Sequence, residues 1–328
     1  MWLRNLILLC TTAYQIWCSR QEDQTPPPGE IYDIGDCKLH LYRRGHAQPN
    51  QPTVILDHSL GGVEGYLLID DIAEFADVCI YDRAGYGWSS NSPNPRNSGE
   101  MVQELEALLR QANIPPPYVL VGNSLGSYTM RLYTATYPEQ VAGLILTDGL
   151  HEDGMGRLPA SLQLMKFVFT AGFLMSVVGS ALGIIRILQQ LGLFQVLSPN
   201  LRQYSQAQLA PVLRSFVQPK HWFTMAREMF SLNASNEQLS DVGSLGSLPI
   251  INIKANHFFT PAPLLKPLPL DTADNTWTRM HYELMRISTQ SLSLPTQKSS
   301  HFVWVDEPEV IVEATYRMLR RLKKERQS

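Results

Sequence analysis

The sequence predicts an α/β protein, a mostly parallel sheet flanked by helices and interrupted by a helical insertion. Three observations predict it. Short apolar runs at Val54–Leu56, Val78–Tyr81, Tyr118–Val121 and in "VAGLILTD", which ends at Asp148, each break into a loop. Between them lie segments with helical spacing, as with Val102, Leu105, Leu108, Leu109 and Ala112 after Ser98. Strands that are apolar on both faces and alternate with helices form a parallel sheet covered on both sides. Finally, the alternation stops after Asp148 and resumes at "LPIINIKA", Leu248 to Ala255.

A chain of 328 residues accommodates one large domain with an insertion, or two small ones. The expected division is 1–19, an apolar anchor or signal-like segment; 20–29, a Pro-rich linker; 30–150, the first part of the core; 151–246, a helical cap inserted after the sixth core strand; and 247–328, the second part of the core. With 27 basic and 30 acidic side chains the net charge is -3, which argues against a nucleic-acid surface. Cys10, Cys18, Cys37 and Cys79 lack metal-ligand spacing, and two of them lie in the N-terminal apolar segment, so neither a zinc site nor a disulfide framework is expected.

The N-terminus "MWLRNLILLCTTAYQIWCSRQEDQTPPPGE" is uncharged from Asn5 to Ser19, shorter than the ~20 residues that cross a bilayer comfortably. A signal peptide, a short anchor and an interfacial helix all fit. The bulky residues before Arg20 leave no small-x-small cleavage site, which favours an uncleaved anchor holding the protein at a membrane surface. Arg4 and Arg20 stand on opposite flanks, so orientation is not set.

After the linker, "IYDIGDCKLHLYRRG" reads as two short strands around a Gly-Asp turn. "TVILDHSLGG" and "DVCIYDRAGYGWSS" are strands running into glycine-bearing loops. The second loop reads as scaffold, with Asp82 and Arg83 as a pair and Gly85 and Gly87 in tight turns. In the insertion, residues 167–185 carry no charge, a length that would license a transmembrane helix. A single crossing would put the two halves of one sheet on opposite sides of a membrane. The segment therefore reads as a buried cap helix or a lid, an apolar roof over the site, with Gly172, Gly179 and Gly183 weakening a continuous helix. In the closing segment, Asp306 is placed to cap the last helix and Pro308 to sit in its first turn.

Chemistry concentrates at "YVLVGNSLGSYTMRLY". Gly122 and Gly126 bracket Ser124 where a strand meets a helix, a tight turn that leaves no room for neighbouring Cβ atoms and pushes the hydroxyl beyond the strand end. A serine hydroxyl needs a base, and the base needs an orienting carboxylate. His301 immediately precedes the final helical unit, on a loop at the strand edge where Ser124 also emerges. His151, His221, His257 and His281 read as loop or cap residues. For the acid, Asp148 sits at a rigid strand end, whereas Asp271 and Asp274 follow a Pro-rich excursion; all three remain candidates. The Leu125 amide, next after the serine, is a candidate oxyanion donor.

"LDHSLGG", "YDRAGYGWSS", "GNSLG", "LILTDGLHED" and the late "SSHF" resemble, in order and spacing, the α/β-hydrolase superfamily, especially bacterial serine hydrolases with a short N-terminal membrane segment. The likeness covers about residues 29–155 and 247–320. It implies the order nucleophile, acid, histidine as Ser124, Asp148, His301, and a second oxyanion donor in the amide of Leu60. Two positions depart from the pattern: Asn123, where a histidine often stands, and Ser59, where glycine is common. The resemblance implies hydrolysis of small-molecule carboxylic esters without metal or organic cofactor, and the apolar roof of residues 167–185 adds an expected preference for hydrophobic acyl or alcohol groups. Amidase, perhydrolase and acyltransferase chemistry would use the same residues, and a catalytically silent binding protein would not need them. Relatives with a carboxylate nucleophile are disfavoured by Ser124.

Overall fold

The computed structural model describes residues 2–152, 160–257 and 270–327. Eight strands form one sheet: β1 (Glu30–Asp33), β2 (Lys38–Arg44), β3 (Thr53–Asp57), β4 (Val78–Asp82), β5 (Tyr118–Asn123), β6 (Val141–Thr147), β7 (Ile250–Lys254) and β8 (Ser291–Pro295). Their order is β1-β2-β4-β3-β5-β6-β7-β8. β1 and β2 pair antiparallel, as do β2 and β4, and every later pairing is parallel.

The helices are α1 (Trp2–Gln24), α2 (Ile69–Ala73), α3 (Ser98–Gln111), α4 (Leu125–Thr136), α5 (Ala160–Ala181), α6 (Ile184–Gln190), α7 (Leu193–Leu197), α8 (Gln206–Phe216), α9 (Pro219–Ser240), α10 (Leu270–Arg286), α11 (Val303–Asp306) and α12 (Pro308–Glu325). β3, β4 and β5 are buried at every position, and alternate residues serve two cores. Val54, Leu56, Ile80 and Val121 pack with Ile311 and Met318 of α12. Ile55, Tyr81 and Leu120 pack with Leu105 and Leu108 of α3 and with Met130 and Tyr133 of α4.

Several local expectations change. α1 continues past Ser19 through the charged Arg20–Gln24, so the expected linker is partly helix. β8 and α10 occupy stretches that the sequence reading leaves without elements. Asp82 and Arg83 do not pair, because successive residues at a strand end point to opposite faces. Asp82 receives His40 Nδ1, the Tyr66 hydroxyl and the Trp88 amide, while Arg83 turns to Asp57 and Glu228. Asp306 does not cap α12. It ends α11 and accepts from the Ser300 amide and hydroxyl, and Glu307 occupies the position before Pro308.

In the insertion, α5 runs unbroken through Gly172 and Gly179, and the chain breaks instead at Gly183, whose φ is +76°. A Cβ there would lie 2.3 Å from the Thr11 carbonyl oxygen, so close packing of α1 as well as backbone conformation requires glycine. The axes of the segments Lys166–Ala181 and Ile184–Gln190 differ by 86°, and among the described residues no single helix is long and apolar enough to cross a membrane. α5 packs on α9, and α9 packs on α3 and α4.

Candidate active site

Ser124 occupies the junction of β5 and α4 with φ +50° and ψ -111°. A non-glycine residue in that region costs of order 1–3 kcal/mol and persists only where its surroundings fix it. Here they do. The Ser124 amide donates to the Thr147 carbonyl at 2.9 Å, and the Ser127 hydroxyl donates to the Ser124 carbonyl at 2.5 Å. A Cβ on Gly126 would approach the Asp57 carbonyl oxygen to 2.6 Å, and one on Gly122 would approach the Gly126 oxygen to 2.6 Å. The two glycines thus serve close approach.

β6 delivers Asp148 at its end, fully buried and with φ +42°. Its amide donates to the Ile253 carbonyl at 2.7 Å, and its Oδ1 accepts from the Ala255 amide at 2.9 Å, so the neighbouring β7 fixes it. His301, on the loop between β8 and α11, places Nδ1 2.5 Å from Asp148 Oδ2 and Nε2 2.9 Å from Ser124 Oγ. His281 of α10 sets Nε2 3.1 Å from Asp148 Oδ1 and Nδ1 3.0 Å from Asn252 Oδ1. Burial alone would push the Asp148 carboxyl up, but the hydrogen bonds from His281 and His301 outweigh it and hold the group well below the usual carboxylate range. An ionised carboxylate only accepts, so both imidazoles donate to it. His301 Nδ1 then carries the proton and Nε2 presents its lone pair to Ser124.

The structure therefore brings Ser124, His301 and Asp148 together. Asp274 lies 3.8 Å from the half-exposed His257, and the Asp271 side chain is outside the described residues. His281 is the residue that sequence reasoning missed. The Trp277 ring stands edge-on to His301, with centroids 5.3 Å apart.

The loop carrying Leu60 is tied from two sides. Arg83 donates to the His58 and Ser59 carbonyls at 2.7 Å each, and Glu64 Oε1 accepts from the Ser59 amide at 3.3 Å and from Asn123 Nδ2 at 2.7 Å. The two positions that depart from the family pattern thus meet at one buried carboxylate. Leu125 opens α4, where the first amides have no intrahelical acceptor. Among the described residues neither its N–H nor that of Leu60 is taken by another group. α9 lies over this loop: a Cβ on Gly61 would meet the Met225 side chain at 2.5 Å, and Glu228 accepts from Arg83 Nε at 3.0 Å. Residues 167–185 pack against α9.

Residues 52–265, well over half of the chain, match the family described as alpha/beta hydrolase fold. The chain belongs to that family. This α/β-hydrolase chain is 30% identical over 107 residues to a mouse protein named (Lyso)-N-acylphosphatidylethanolamine lipase, covering 31% of each chain. It is 33% identical over 111 residues to an uncharacterized vacuolar membrane protein of Saccharomyces cerevisiae, covering 31% of this chain and 17% of the other. It spans less than half the length of the curated relatives it matches. Among solved structures, the enol-lactonase from Burkholderia xenovorans superposes with a TM-score of 0.61 at 14% identity over 89% of this chain and 100% of the other, a likeness of fold.

Proposed function

We propose that this α/β hydrolase cleaves carboxylic esters through an acyl-enzyme, with Ser124 as nucleophile, His301 as general base and acid, and Asp148 as the orienting carboxylate. The observation that carries the reading is the unbroken hydrogen-bond chain from Ser124 Oγ through both His301 nitrogens to Asp148, at 2.9 and 2.5 Å. Ser124 Oγ attacks the ester carbonyl as its proton passes to His301 Nε2. The negative charge on the carbonyl oxygen is met by the Leu60 and Leu125 amides, each such donor contributing roughly 2.7 to 4 kcal/mol. Collapse expels the alcohol, which takes the proton from His301, and water then repeats the sequence on the acyl-Ser124 ester. The carboxylate favours the imidazolium that forms in each half.

Apolar side chains around the site, among them Leu125, Leu150, Leu232 and Trp277 in one buried cluster with Leu60 and Met229 against it, support a preference for hydrophobic acyl or alcohol groups. The same reading attaches the chain to a membrane surface through α1. The names of the mouse lipase and the yeast membrane relative favour a lipid context. The test is labelling by a fluorophosphonate probe together with a chain-length series of p-nitrophenyl esters. Ser124 is expected to be the labelled residue, with folded Ser124→Ala losing both labelling and turnover. Full turnover in folded Ser124→Ala would sink the reading, and amide hydrolysis or acyl transfer outrunning ester hydrolysis would redirect it.

A further inference from the structure

α1 is built the wrong way round for water. A surface helix turns its apolar stripe to the protein and its polar stripe to solvent. Here the inward stripe contains Thr11, Thr12, Gln15, Ser19 and Glu22, with Gln15 buried, while Trp2, Leu6, Leu9, Ile16 and Trp17 are exposed. The polar stripe is fastened. Gln15 Nε2 donates to the Val217 carbonyl at 3.0 Å and Arg186 Nε donates to Gln15 Oε1 at 2.6 Å. Arg186 also pairs with Glu22, and Arg214 pairs with Asp23 at 2.9 Å. The tight contact of Thr11 with Gly183 sets α1 against the bend between α5 and α6.

α5 touches α1 and also bares apolar side chains. Phe167, Val168, Met175 and Val178 are 58 to 74% exposed, so α1 and α5 together bare far more large apolar side chains than scattered surface residues would. Charge complements this surface. The acids of α1, Glu22 and Asp23, are engaged by Arg186 and Arg214. Arg4 and Arg20 are exposed and, among the described residues, have no acidic partner. An apolar face with free cations beside it matches a bilayer with anionic head groups.

We propose that the outward faces of α1 and α5 form one bilayer-docking surface that takes an anionic phospholipid membrane, with α1 lying in the interface plane and its polar stripe held by the insertion. Spanning is disfavoured, because leaving the protein would strip Gln15 and Glu22 of their partners. The proposal deepens the membrane attachment suggested above and does not depend on the chemistry at Ser124.

The test is co-sedimentation of the full chain with phosphatidylcholine vesicles, with and without phosphatidylglycerol, in the absence of any substrate. Thermal melting reports folding, so failure of the esterase reading would leave the experiment intact. Binding is expected to rise with the anionic fraction. Leu9→Glu, Trp17→Glu, Val168→Glu and Met175→Glu are each expected to lower partitioning about tenfold. Leu292→Glu, on β8, serves as the control that binds like the parent. Arg4→Gln combined with Arg20→Gln is expected to remove the dependence on phosphatidylglycerol. Should a glutamate variant fail to fold, brominated lipids decide instead: Trp2 and Trp17, the two exposed tryptophans, are expected to be quenched by shallow bromines, and Trp2→Phe with Trp17→Phe to abolish that quenching without loss of binding. Unchanged partitioning in all four glutamate variants would overturn the proposal. So would a dimer in vesicle-free solution that the same substitutions dissociate, since this face would then belong to a second copy.

Discussion

His281 donates to Oδ1 of Asp148 at 3.1 Å while His301 holds Oδ2 at 2.5 Å, so one buried carboxylate serves two imidazoles. His281 in turn rests on Asn252, which ties the acid to β7. A hydrogen bond to a charged group contributes about 1.5–3 kcal/mol. His281→Phe is expected to lower kcat about tenfold or more with KM little changed, because Asp148 loses aim while the substrate pocket is untouched. His281→Gln, which retains a donor, is expected to recover part of the loss. Steady-state kinetics of the two variants check this, and parental kcat in His281→Phe would count against it.

Glu64 offers a parallel case on the other side of Ser124, where we propose the oxyanion donors. Its carboxylate spans the Ser59 amide and the Asn123 side chain, the segments that carry Leu60 and Leu125. Glu64→Ala strands both donors in a buried place. The expected result is kcat down about tenfold with KM near the parent's, and a smaller loss in Glu64→Gln. A change confined to KM would show that Glu64 does not position the oxyanion donors.

Arg83 is fully enclosed between Asp57 of the core and Glu228 of the insertion. Breaking a buried pair from one side leaves an uncompensated charge, which costs about 3–5 kcal/mol. Glu228→Ala is expected near the lower end, since Asp57 remains. Urea unfolding checks the magnitude, and a loss below 1 kcal/mol would show that the guanidinium finds other compensation.

His221 predicts acid lability. Burial, with the Lys220 and Arg83 charges beside it, pushes its imidazole from 6.5 down to about 3. The unfolded chain takes up this proton near 6.5 and the folded chain only near 3. The stability is therefore full above 6.5 and falls with pH through that window, by up to about 1.4 kcal/mol per pH unit. In His221→Gln, the slope of urea-unfolding stability against pH between 6.5 and 4 is expected to be shallower by about that amount. An unchanged slope would mean that His221 does not titrate on unfolding.

The sheet centre was legible because β3, β4, β5 and β6 are buried on both faces and read as apolar runs. The meeting of Ser124 and His301 was legible because both lie on loops at the same edge of a parallel sheet. β8 was hidden by its composition, since "SLSLP" at the sheet edge is only partly buried and lacks the β-branched residues that mark inner strands. α10 carried a readable signal, Trp277, Met280 and Leu284 at helical spacing, but it follows a Pro-rich stretch and begins among polar residues. His281 lies on that helix, so its place beside Asp148 could not be seen before the helix was. Local pairing of Asp82 with Arg83 failed for a different reason, because neighbours in sequence at a strand end diverge in space.

Because β6 and β7 run parallel side by side, the chain must travel back along the sheet between them; α9 stays at the Ser124 edge, with Ser235 and Gln238 on the first turn of α3, and the stretch from Asp241 to Pro249 leads past the end of α4 to β7. The helix that rests on the Leu60 loop through Met225 and Glu228 is therefore a cover at that edge, anchored on α3 and α4 of the core. Leu209 and Val212 of α8 join the main core, whereas α5 to α7 contribute none of its buried residues. The outer part can be exchanged as a cassette, while the inner helix stays as a fixed keel beneath every version.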